Sequence, residues 1–124
     1  MLPLRWAAAS RCWNADWDTV LKGAVALRLD GLQIDVREEL PPSALTETGR
    51  RDFLHPLRER GLQVASTWLP LKHPLYAERE QEGRIAFVCA AMTFTAALQS
   101  KLLCLRIGRI PEAADDPQGQ TLRE

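Results

Sequence analysis

Residues that carry chemistry are sparse in this chain, and each scarcity removes a class of function. Only two histidines occur, His55 and His73, and Asp35 with His73 would not complete a metal site, which usually needs three or four protein ligands. Cys12, Cys89 and Cys104 are scattered, with no C-x-x-C pair. That pattern supports neither a disulfide framework nor a zinc ribbon, and it fits thiols in a reducing cytoplasm. No apolar run approaches the ~18 residues of a membrane span. Met1-Leu2-Pro3-Leu4-Arg5-Trp6 lacks a charged leader followed by a long apolar core, so no secretory signal is expected. Charge of one sign is also missing. Sixteen Lys and Arg balance sixteen Asp and Glu, leaving no global field to recruit nucleic acid or an anionic membrane. No G-x-G-x-x-G or G-x-x-x-x-G-K-[ST] follows any apolar run, which argues against a dinucleotide or P-loop phosphate cradle.

What is present is an alternation of strands and helices in a globular composition, 46% hydrophobic and 26% charged. Leu4 to Ala9 reads as a first strand. Asp16 caps a helix from Trp17 to about Leu29, with Val20, Leu21, Ala24 and Leu27 at helical spacing. Gly31, after Asp30, is expected to end it in the left-handed conformation. Leu32-Gln33-Ile34-Asp35-Val36 is a second strand of alternating character. Its apolar set would pack under helices, and Gln33 and Asp35 would face a barrel interior. Ser43 or Thr46 caps a helix through Arg60 that buries Phe53, Leu54 and Leu57. Pro56 inside it predicts a kink or break near His55. Gly61 ends that helix, and Leu62 to Trp68 is a third strand. A long helix is expected from about Leu75 to Ser100, with Ile85, Val88, Met92 and Ala96 forming one apolar stripe widened by Phe87, Ala91, Phe94 and Leu98. Leu102 to Ile107 reads as a fourth, buried strand. The acidic stretch Pro111 to Asp116 reads as a solvated loop, and Gln120 to Glu124 as the first turn of a further helix.

Strands alternating with helices of this length imply parallel pairing through right-handed crossovers. The fold class expected is α/β, a partial (β/α)8 TIM barrel with about four parallel strands. The chain has 124 residues, against roughly 250 for a complete barrel. Residues 1–124 therefore read as one truncated unit.

Several stretches resemble xylose isomerase-like TIM barrels, the group that holds sugar-phosphate isomerases and epimerases and metal-dependent AP endonucleases. Leu29-Asp30-Gly31-Leu32-Gln33-Ile34 looks like the family's helix-to-strand junction, where members often carry D-G-[VI]-E. Gln33 stands at the acidic position, and Asp35 supplies an inward carboxylate two residues later. Leu45 to Arg51 and Gly61 to Val64 resemble the second helix and third strand. Leu105 to Pro111 resembles the fourth strand and its loop. The resemblance covers the N-terminal half of such a barrel. It implies isomerisation or epimerisation of a sugar or sugar phosphate, with a divalent metal in full-length members whose ligands come mainly from later strands. No metal ligand and no cofactor is therefore assigned to this chain.

Barrel active sites gather at the carboxyl ends of the strands, which selects the candidates. Asp35 and His73 are the catalytic candidates, as carboxylate and as general acid/base. Arg37, Lys72, Arg106 and Arg109 would form a positive rim for a sugar phosphate, and Trp68 would stack on a sugar ring. The bland alternative is solvated loop charge and an ion pair inside the barrel, such as Asp35 with Arg106. His55 belongs on an outer helix. The expectation is a cytoplasmic sugar-phosphate isomerase/epimerase relative, inactive as a truncated chain, with neither nucleic acid nor membrane as partner. The alternatives are a piece of an AP endonuclease-like hydrolase and a non-enzymatic half barrel that self-associates as a homodimer.

Overall fold

The computed structural model describes residues 3–109. The expectations for Pro111 to Asp116 and for Gln120 to Glu124 lie outside the described residues. The elements, in order, are β1 (Ala7–Ala9), a 3-10 turn (Ser10–Cys12), α1 (Trp17–Ala26), β2 (Gly31–Asp35), a second 3-10 turn (Pro42–Ala44), α2 (Glu47–Glu59), β3 (Gln63–Leu69), α3 (Gln81–Ala97) and β4 (Leu103–Leu105). The four strands form one sheet in the order β1-β2-β3-β4, every neighbour parallel. Sequential order in an all-parallel sheet is what successive right-handed βα units produce. This is an arc of a barrel.

The helices start where the sequence supplies caps. Asp16 Oδ1 accepts the Thr19 amide at 2.8 Å, and Thr46 Oγ1 accepts the Gly49 amide at 3.0 Å, each satisfying a donor the first helical turn leaves unbonded. Pro56 neither ends nor interrupts α2, which runs unbroken to Glu59. Gly61 (φ 71°) closes that helix as expected. The end of α1 differs from expectation. Arg28 (φ 56°) holds the left-handed position there, and Gly31 is instead the first residue of β2. A Cβ on Gly31 would stand 2.8 Å from the Gln63 carbonyl oxygen and 3.0 Å from Ala65 Cβ. This glycine is needed because β3 approaches closely, not because a turn requires it.

The core lies between the sheet and the helices. Leu32, Ile34 and Val36 from β2 and its end, with Val64 and Leu69 from β3, meet Val20, Leu21 and Ala24 of α1, Leu54 and Leu57 of α2, and Ala91, Phe94 and Leu98 around α3. Each large aliphatic side chain fully buried there contributes about 1.5–3 kcal/mol. Trp17 and Phe53 join α1 to α2 edge to face, ring centroids 5.0 Å apart.

Three further expectations are corrected. α3 begins at Gln81, not Leu75, because residues 75–80 are held as a loop. The Leu75 amide bonds the Ile107 carbonyl, Tyr76 is buried with its hydroxyl donating to the Arg109 carbonyl, and Arg84 donates to the carbonyls of Ala77 and Arg79. The stripe Ile85, Val88, Met92 and Ala96 exists but is not the core face. Ile85, Met92 and Ala96 are exposed, and the buried face is Ala91, Phe94, Thr95 and Leu98. Thr95 is there because its hydroxyl, which donates to the Ala91 carbonyl, also shares a 2.7 Å hydrogen bond with buried Thr67 of β3. The terminal strands are shorter than expected, and β4 is an edge of the described sheet. Leu103 and Leu105 are half-buried, and Cys104 is exposed.

One irregularity in β3 governs the site. Leu32 pairs with Val64, yet Gln33 pairs with Ser66, so Ala65 is an extra residue, a β-bulge. Beyond it, Thr67 and Leu69 join Val64 on the helix side, while Ser66 and Trp68 turn to the inner face. In an uninterrupted strand Val64, Ser66 and Trp68 would share the helix side.

Candidate functional site

The inner face at the carboxyl end of β2 carries a connected set of polar groups. As the alternation of β2 predicts, Gln33 and Asp35 point away from the helix layer. Asp35 is almost fully buried and has three donors. Its Oδ1 accepts the amides of Arg37 and Glu38, both at 2.8 Å, and its Oδ2 accepts Nη1 of Arg11 at 2.8 Å. A buried carboxylate needs such donors to offset its lost hydration. The ion partner is therefore Arg11, from the turn after β1, and not Arg106.

Around this pair the backbone is pinned by side chains. Glu39 Oε1 accepts the Asp35 amide at 3.2 Å and lies 2.6 Å from Ser10 Oγ, which is also 3.1 Å from the Gln33 carbonyl. Ser10 has one proton to give, and the short approach assigns it to the carboxylate. Gln33 Nε2 donates to Ser66 Oγ at 3.0 Å across the strands. Trp68 lies opposite Asp35 in the β2–β3 ladder, and Cys104 opposite Trp68 in the next. The bulge at Ala65 thus delivers an inner-face aromatic, Trp68, to the level of the buried carboxylate.

Beside this network opens a cavity of about 500 Å³ lined by Arg11, Asn14, Ala15, Asp16, Glu38 and Glu39. The Arg11 side chain is 56% exposed, so one edge of its guanidinium is fixed on Asp35 and the rest faces the cavity. Three carboxylates against one already neutralised guanidinium make the lining acidic. A larger cavity, about 630 Å³, sits at the amino ends of the strands, lined by Trp6, Gly31, Gln63, Ala65 and Leu102 among others. Size favours the second and chemistry the first. Parallel α/β folds place their reacting groups at the carboxyl ends, and that end holds the buried Asp35 carboxylate paired with Arg11.

The remaining candidates fall in two groups. Arg37 is committed to bracing. Its Nη1 donates to the Pro70 carbonyl at 2.7 Å, and its guanidinium lies over the Phe87 ring at 5.5 Å, tying the loops after β2 and β3 to α3. The main-chain carbonyl of Arg109 receives Tyr76, which latches the end of β4 to the β3–α3 loop. Lys72, His73 and Arg106 are exposed on the loops beyond β3 and β4, and no hydrogen bond or ion pair joins them to Asp35. Thr67 faces α3, away from the cleft. His55 is on the outer surface of α2, 2.9 Å from Glu59.

Sequence reasoning missed Ser10, Arg11 and Glu39. Arg11 and Glu39 sit in loops whose paths no periodicity predicts. The available signal was chemical: an inward carboxylate destined for burial requires a cation, and Arg11 is the basic residue that follows the neighbouring strand. Among the described residues no group of three or more His, Cys, Asp or Glu is placed to hold a metal ion, and the oxygens of Asp35 are occupied by N–H donors.

No family model and no curated protein sequence matches the chain. Among solved structures it is similar to a xylose isomerase domain protein from Planctomyces limnophilus, with a TM-score of 0.69 at 16% identity, over 98% of this chain and 45% of that one. The chain thus spans less than half the length of that protein. The likeness is one of fold: an α/β arrangement of four parallel strands with helices between them, consistent with part of a xylose isomerase-like (β/α)8 barrel.

Proposed function

We propose that the chain forms the sugar-binding part of an isomerase or epimerase acting on a sugar or sugar phosphate. The observation that carries this reading is the buried Asp35 carboxylate at the carboxyl end of β2, paired with an Arg11 that opens on an acidic cavity. Hydroxyl groups of a polyol suit that lining. They donate to Glu38, Glu39 and Asp16 and accept from the outer edge of Arg11. A phosphate there would face like charges, so the phosphate of a phosphorylated sugar belongs at Lys72 and Arg106. The same acidity disfavours the phosphodiester of an abasic-site hydrolase. Trp68 offers its ring to the apolar face of a sugar.

In this reading Asp35 is a positioning residue. With every oxygen engaged it orients Arg11 and the turn Arg37-Glu38 and is poorly placed to take a proton. Proton transfer falls to Glu38, Glu39 or His73, which are better exposed. A divalent metal, expected in full-length relatives, would draw its ligands from strands beyond these four. The complete cleft needs the rest of the ring, for which a second copy is proposed below. We assign the protein to the cytoplasm, since its three cysteines are free and exposed. No helix among the described residues is long and apolar enough to cross a membrane.

The test is a ¹H–¹⁵N titration of the chain with aldoses, ketoses and their phosphates. Amides of Ser10 to Cys12 and Asp35 to Glu39, and the Trp68 indole, should move together and saturate. Arg11→Ala should abolish the response while the rest of the spectrum is retained. If every sugar leaves these signals in place, or moves them equally in the variant, the reading fails.

A further inference from the structure

We infer that two copies of this chain close into one eight-stranded ring, with β1 of each copy pairing with β4 of the other. Four parallel strands in sequential order leave two edges, β1 and β4, each paired on one side only among the described residues. Both edges run in the same direction, so β4 of one copy can extend the parallel ladder into β1 of the next. A two-fold axis along the barrel then forms both seams at once and leaves no edge, which is the general solution to exposed strand backbone.

The exposed apolar residues mark the same boundary. The large hydrophobics exposed among the described residues are Leu4, Trp6, Val25, Leu27, Ile85, Phe87, Met92 and Leu102. All belong to the first βα unit or to α3 and the approach to β4. None lies in β2, α2 or β3, which have neighbours on both sides. The flank of α3 that faces α2 is identified by Ala90, Thr93 and Ala97, which share a cavity with Leu45 and Arg50 of the α2 unit. By helical geometry Ile85, Met92 and Ala96 lie on the opposite flank, where the next helix of a ring would stand. This explains why the sequence shows an apolar stripe there that the monomer does not bury. The inner face is likewise uncovered and lined by small residues, Ala7, Gly31 and Ala65, with Leu102 beside them.

The occupant is a second copy because what is missing matches it. The chain corresponds to 45% of a full barrel protein, so two copies supply about the right length and strand count. A net charge of zero puts no long-range repulsion between copies. Closure also completes the cleft. The partner's Arg11, Asp35 and Trp68 would stand on the far side of the same ring, at the same carboxyl end.

Light scattering after size exclusion should return twice the chain mass of 13.9 kDa at micromolar concentration. Trp6→Asp on one edge and Met92→Asp on the other should each shift the protein to monomer, while Arg58→Asp on α2 should not. Far-UV circular dichroism verifies that each variant is folded. Hydrogen exchange on the unaltered chain needs no variant. Amides of both β1 and β4 should gain protection as concentration rises. A monomer at every concentration overturns the proposal. So does a dimer that depends on one edge alone, as β1–β1 or β4–β4 pairing would give, or protection confined to one strand. These readouts involve no ligand, so their outcome is separate from that of the sugar titration.

Discussion

Asp35 concentrates the local energetics. Two amides and one guanidinium depend on its carboxylate, and it is buried. Asp35→Ala would leave both amides and Arg11 without their acceptor, costing about 2–3 kcal/mol. Urea denaturation should show a lower midpoint with an unchanged slope. Asp35→Asn keeps one acceptor oxygen and should lose less. Asp16 makes a contrasting case at the surface. The Thr19 amide, then the Thr19 hydroxyl, holds its carboxyl below the ordinary value of 3.8. Because the folded value lies below the unfolded one, the ionised cap favours the folded helix above the ordinary value. That contribution fades as pH falls through the lower, folded value. Acid titration by NMR should therefore show the amide of Thr19 losing its hydrogen-bonded shift only below the normal carboxylate range. In Asp16→Asn this step should be absent.

At the scale of elements, glycines separate what a strand needs from what a helix tolerates. Gly83 in α3 has open space where a Cβ would stand, whereas Gly31 in β2 faces the Gln63 carbonyl and Ala65 at contact distance. Gly83→Ala should raise stability by up to about 1 kcal/mol through helix propensity. Gly31→Ala should lower it by about 1–3 kcal/mol through overpacking against the bulge. Opposite shifts in thermal midpoint are the check. Two shifts of the same sign would remove the bulge contact as the reason for Gly31. The bulge has a functional counterpart too. It turns Trp68 inward, so deletion of Ala65 should cost the Trp68 response to sugar before it costs the fold.

For the whole molecule, an arc of three βα units and a fourth strand buries one face of the sheet well and leaves the other open. That imbalance drives the proposed closure. The outer layer is complete between α1 and α3, and among the described residues the large exposed hydrophobics lie toward the two ends of the arc. If closure holds, stability should depend on concentration, because folding and association share the same edges. A thermal midpoint that rises over a hundredfold range of protein concentration is the expected result, and one that stays fixed counts against the dimer.

Local signals determined much of this protein. The caps Asp16 and Thr46, the end at Gly61, the alternation of β2 and the βα period each depend on a few neighbouring residues, so they were legible without a structure. They led to a parallel half barrel with Asp35 facing inward. What they did not contain was decided by contacts between residues far apart in the chain. Arg11 reaches Asp35 across 24 positions, and Thr95 is drawn into the core by Thr67 across 28. The extra residue in β3 became visible only as a shift in its pairing with β2. Periodicity reports that a face is apolar but not what covers it. For that reason the stripe of α3 was read correctly as a stripe, and only the tertiary structure placed it on the open flank of the ring.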